Sequence, residues 1–89
     1  MTETSFHVAN DVLFQSVDQE LVLLNLTSQK YYGLDSMGAR MWNLLAEHHR
    51  PAAVADRICE EFDADRALVL RDVEAMAADF HAAGLIEKD

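Results

Sequence analysis

The sequence predicts an α+β fold of winged-helix type, a three-stranded antiparallel sheet followed by three helices in the order β-β-β-α-α-α. Three observations carry it. Up to residue 34 the apolar residues come in short runs separated by brief polar links. From residue 37 onward they recur every three or four residues, which is the helical period. The change falls at Asp35-Ser36, two residue types that favour the start of a helix.

The strands come first. Residues 12–18, VLFQSVD, form an apolar run that ends in Asp18. Residues 20–26, ELVLLNL, put Val22, Leu24 and Leu26 on one face and Leu21, Leu23 and Asn25 on the other. The polar cluster TSQK leads into a short aromatic strand, YYGL, with Tyr32 and Leu34 on one face. Links this short favour hairpins, because parallel pairs need long crossovers. The result is a three-stranded meander.

The helices follow. Met37, Met41, Leu44, Leu45 and His48 trace one stripe, with Trp42 beside it and Asp35 or Ser36 as the cap. Pro51 suits the first turn of a second helix, whose apolar face is Val54, Ala55, Ile58, Cys59 and Phe62. The DAD run at 63–65 caps a third helix, which carries Val69, Leu70, Val73, Met76, Ala77 and Phe80. Gly84 is its stop, and Leu85 and Ile86 fold back onto the core. The domain is expected over residues 12–86, with 1–11 as a flexible N-terminal segment.

Composition narrows the function. Half the 89 residues are hydrophobic, enough for one folded domain. A net charge of −9 repels phosphate backbones, so nucleic acid is not an expected partner. The third helix points the same way, with Asp63, Asp65, Asp72, Glu74 and Asp79 in and before it against Arg66 and Arg71. A lone cysteine, Cys59, forms no intramolecular disulfide, which suits a reducing cytoplasm. The opening residues carry no basic leader and long apolar run, and no stretch reaches the roughly 20 apolar residues of a membrane span.

Enzyme and cofactor chemistry find little support. Cys59 lies on an apolar helix face followed by Glu60 and Glu61, a poor setting for a thiolate. His48 and His49 point about 100° apart on a helix and cannot chelate together. No metal and no cofactor is expected. Asp35-Ser36-Met37 does resemble the phosphopantetheine site of acyl carrier proteins, so a carrier with Ser36 modified is the alternative. Carriers place a long helix and loop before that serine, whereas strands precede it here, and a helix cap explains the pair.

A binding edge remains. The last strand of the meander, Lys30, Tyr31, Tyr32, Gly33 and Leu34, is expected at the sheet's edge, with backbone groups free to pair with an extended peptide. With the third helix alongside, a groove would form. Val69, Val73 and Met76 serve either as its floor or as core, and Asp72 on its flank could meet a basic peptide residue.

The run LVLLNLTSQKYYGLDSMGARMWNLL, together with DVEAMAADFHAAGLI, resembles the PqqD-like family of leader-peptide recognition elements (RREs). Tyr32-Gly33-Leu34, the acid at 35, Ala39, Trp42-Asn43-Leu44-Leu45, Asp72-Val73 and Gly84-Leu85-Ile86 carry the resemblance. It implies a non-catalytic peptide chaperone for ribosomally synthesised and modified peptides (RiPPs). A precursor's leader would add a strand to the third β-strand and pack on the third helix. Among family members the chain is most similar to the discrete leader-binding protein of lasso peptide systems, which works beside a leader peptidase and a cyclase. A role in pyrroloquinoline quinone synthesis is the other family reading.

Overall fold

The computed structural model describes residues 4–89. The meander consists of β2 (Val12–Val17), β3 (Glu20–Asn25) and β4 (Lys30–Leu34), and β1 (Phe6–Val8) precedes it. The helices are α1 (Ser36–His48), α2 (Pro51–Glu61) and α3 (Arg66–Ala82), and the last strand is β5 (Ile86–Lys88). The meander is antiparallel in the order β2-β3-β4, which leaves β2 and β4 as its edges. Leu23 stands opposite Phe14 on one side and Tyr32 on the other.

Each helix starts where its cap chemistry places it. The Asp35 carboxylate accepts the Gly38 amide at 2.8 Å, so Asp35 is the cap and Ser36 the first helical residue. Pro51 opens α2. Asp65 caps α3 by accepting from the Ala67 amide at 2.9 Å. At the other end of α3, Gly84 has φ +74°, and the amides of Gly84 and Leu85 bond back to the carbonyls of His81 and Phe80. This two-bond stop turns the chain so that Leu85 and Ile86 enter the core.

Trp42 is the hub of that core. Its ring meets Phe14 of β2 at a centroid distance of 5.5 Å and Phe80 of α3 at 5.1 Å, edge to face in both contacts. Sheet, α1 and α3 therefore share one aromatic stack. The indole N–H is buried with no hydrogen-bond acceptor among the described residues. Leaving such a donor unpaired costs about 1–3 kcal/mol. Burying a side chain of this size contributes about 5 kcal/mol at roughly 25 cal per Å², so packing wins.

The two faces of β3 settle in an unexpected way. Leu21, Leu23 and Asn25 point inward, and Val22 is exposed beside the exposed Leu13, Val17 and Tyr31 of the neighbouring strands. The polar residue of the pattern is thus inside and an apolar set is outside.

Two expectations need correction. Residues 1–11 are expected to be a flexible segment, yet Phe6–Val8 form β1 and pair antiparallel with β5, Phe6 opposite Lys88. The Phe6 amide donates to the His49 carbonyl at 2.7 Å, and His49 Nδ1 donates to the Phe6 carbonyl at 2.9 Å, so β1 is fastened to the end of α1. Residues 1–3 of that expected segment lie outside the described residues. The second correction is Phe62. The helical stripe assigns it to the apolar face of α2, but α2 ends at Glu61, and the extended backbone at Phe62 turns its ring out, 47% exposed. Cys59, on the same stripe, is half-buried.

If β1 belongs to the folded unit, Phe6→Ala lowers the unfolding free energy by about 3–5 kcal/mol, the usual cost of emptying a buried aromatic site. Denaturant unfolding measures it. A change below about 0.5 kcal/mol would mean that β1 merely rests on the surface.

Candidate functional site

A sheet edge exposes backbone, and alternate residues of an edge strand turn their N–H and C=O groups away from the sheet. Of the two edges, β2 is exposed from Leu13 onward, its inward-facing Phe14 and Ser16 included. In β4 the inward residues Tyr32 and Leu34 are half-buried and rest on the core, while Lys30, Tyr31 and Gly33 are exposed. An added Cβ at Gly33 would meet nothing within 4 Å, so this part of the edge is open on its outer side.

The position of α3 follows from what surrounds α1. On its Arg40 side lies α2, joined by an ion pair between Arg40 and Glu61. That guanidinium donates to the Glu61 carboxylate and holds its pKa below the usual range. On the Gly38 side lies β4, where Leu34 packs so closely that a Cβ on Gly38 would stand 3.3 Å away. Ala39 and Asn43 share a hollow with Asp18 and Glu20 of the β2–β3 turn. Helical geometry puts Met41 and Leu45 between the α2 side and the β4 side, and both are buried. The third helix packs on α2 and reaches Trp42 through Phe80, and β1 and β5 lie beside Trp42 and Leu45. The end of α3 meets the sheet at Asn25, whose side chain reaches the Ala83 carbonyl.

The predicted groove residues sort themselves along α3. Val69 and Met76 are half-buried against the core, two turns apart on the flank of the helix. Ala83 continues the same line. Asp72 is exposed on that flank. Val73 differs: it is 2% exposed and belongs to the core, together with Ala77 and Phe80. It can support the groove from below but offers almost no surface. Leu70, on the same apolar stripe, is only half-buried.

The larger hollows lie elsewhere. One of about 390 Å³ sits between the start of α1 and the β2–β3 turn, with Ser36, Met37, Arg40, Glu61 and Phe62 among its lining. Another, of about 370 Å³, lies over the outer sheet face beside Leu13, Val22, Leu24 and Tyr31. Sequence reasoning missed this outer apolar face because β3 is apolar on both sides, so alternation could not say which side faces solvent. No helix among the described residues is long and apolar enough to cross a membrane.

A free strand edge at β4 and half-buried apolar side chains on α3 are features that a strand-accepting surface uses. Comparison with known proteins agrees with that class. Residues 20–86 match the family described as coenzyme PQQ synthesis protein D (PqqD), and the chain belongs to this family. It is similar to a solved structure described as TbiB1 in complex with the TbiA(beta) leader peptide. The two are 37% identical over 91% of this chain and 94% of that one, with a TM-score of 0.86. A second similar structure is described as lasso peptide synthetase B1 complexed with the leader peptide, at 25% identity, 93% and 98% coverage and a TM-score of 0.84. No curated protein sequence matches the chain.

The sorting of α3 is testable by stability alone. Val73→Ala should cost about 2 kcal/mol, the loss of two buried methyl groups and some cavity. Asp72→Ala should stay within about 0.5 kcal/mol, as exposed substitutions do. Chemical denaturation of both variants checks the contrast.

Proposed function

We propose that this chain is a non-catalytic recognition element that captures the leader of a ribosomally synthesised precursor peptide. The leader adds as a strand to Lys30–Leu34, and its side chains rest on Val69 and Met76, with Val73 beneath and Asp72 at the rim. The observation that carries this reading is the free edge of β4, the last strand of the meander. Its weight comes from the two similar proteins of known structure, each solved with a leader peptide.

The chemistry suits the task. Backbone pairing supplies affinity that does not depend on the leader's side chains, and the α3 flank supplies selectivity. Methionine on that flank adapts to the shape of an incoming apolar group. The bound leader is then presented to modifying enzymes. For a lasso peptide pathway these are a leader peptidase and a cyclase, and the similar lasso peptide synthetase B1 structure favours that pathway over pyrroloquinoline quinone synthesis. Attachment of phosphopantetheine to Ser36 is not favoured. Ser36 directly follows the sheet, and its neighbour Asp35 is engaged as the helix cap.

The test is a titration of the full chain against a fluorescein-labelled leader of the precursor encoded beside it, read by anisotropy. Saturable binding is expected. Met76→Asp should weaken it by at least about tenfold, because a carboxylate cannot be buried against an apolar group without a partner. No binding, or equal binding by a folded Met76→Asp variant, would overturn the assignment.

A further inference from the structure

Asn25 is the polar residue inside the meander, 5% exposed, at the place where alternation would accept a leucine. Its amide group is used on both sides. Oδ1 accepts from the backbone amides of Thr27 at 3.0 Å and Ser28 at 3.2 Å, which fixes the turn leading into β4. Nδ2 donates to the carbonyls of Ala83 at 3.3 Å and Gly84 at 3.5 Å, at the C-terminal end of α3. A helix end leaves such carbonyls without intrahelical partners, so the side chain answers a real need.

The position asks for asparagine specifically. Aspartate would serve the turn but would set a second oxygen against two carbonyls. Leucine would serve neither side. The neighbouring glycine fits as well: a Cβ at Gly84 would stand 3.1 Å from Asn25 Nδ2 and would push the amide back by a few tenths of an ångström.

We propose that Asn25 is a positioning residue that sets the spacing between β4 and α3, and with it the fit of the groove; this rests on the leader-binding reading above. Its two amide atoms hold the start of one wall and the end of the other. An incoming strand must lie about 4.7–4.9 Å from β4 while its side chains reach α3, so both distances have to be right at once. A shift of the α3 end relative to the turn would spoil one of them.

The experiment uses the full chain and the same fluorescein-labelled leader peptide, with Asn25→Asp as the main variant. This substitution keeps the acceptor that holds the turn and removes the donor that holds α3. Leader affinity is expected to fall about tenfold, the scale of one lost hydrogen bond made repulsive. In the free variant, amide exchange should quicken at Lys30–Leu34 and at residues 83–85 while β2 keeps its rates. His7→Ala, which disturbs the β1–β5 side away from the groove, is the control and should bind as the unsubstituted chain does. A merely structural Asn25 would lower stability and leave the affinity of the folded protein unchanged. If Asn25→Asp does not fold, Asn25→Ser keeps an acceptor for the turn, is too short to reach α3 and carries the same expectations. Unchanged affinity, or unchanged exchange in β4, overturns the proposal. If the unsubstituted chain does not bind the leader, the leader-binding reading has failed, and the exchange rates alone still judge whether Asn25 fixes the spacing.

Discussion

The aromatic stack Phe14–Trp42–Phe80 is the contact on which the rest of the structure depends. It ties a strand, the first helix and the last helix at one point, with a ring that is 1% exposed at its centre. In a chain of 89 residues the core is small, and a single large side chain fixes much of the geometry. Two ring contacts hold β2 and α3 against α1 in the middle of the core, and rings are stiff spacers. The half-buried residues beside the stack, Tyr32 and Leu34 on the sheet and Val69 and Met76 on the helix, inherit their positions from it.

Two further devices fix the ends of β4. Asn25 joins the turn before β4 to the end of α3, and the Asp35 cap swings the chain from the end of β4 straight into α1. The β1–β5 ribbon lies on the other side of α3, where Phe6, Ala77, Ala78 and His81 share a hollow. The helix is thus braced on that flank, and Val69, Asp72 and Met76 lie on another. Pairing at a strand edge needs only N–H and C=O groups, so the net charge of −9 leaves it unaffected.

The features legible in the sequence are those written locally. The meander shows in its short polar links, the helices in their period, and the caps Asp35 and Asp65 in residue type and position. The strand edge is legible too, because an uninterrupted meander has its last strand at the border. The pairing of β1 with β5 is not: FHV is too short to stand out, and its partner is distant in sequence. Alternation places Asn25 on the face opposite Val22 and Leu24, but its inward turn follows from carbonyls at the end of α3 that no local pattern reveals. Val73 and Met76 share one apolar stripe, yet one is sealed and the other is not. That division depends on a few tens of degrees around the helix, finer than residue spacing resolves.

The central claim is that β4, and not the other free edge, receives the peptide. Residue-resolved amide exchange by NMR, with and without the bound leader peptide, tests it most directly. Leader binding is predicted to slow exchange at alternate amides within Lys30–Leu34 and to leave the outward amides of Val12–Val17 as they were. Protection gained along Val12–Val17, or confined to α3 with β4 unchanged, would contradict it.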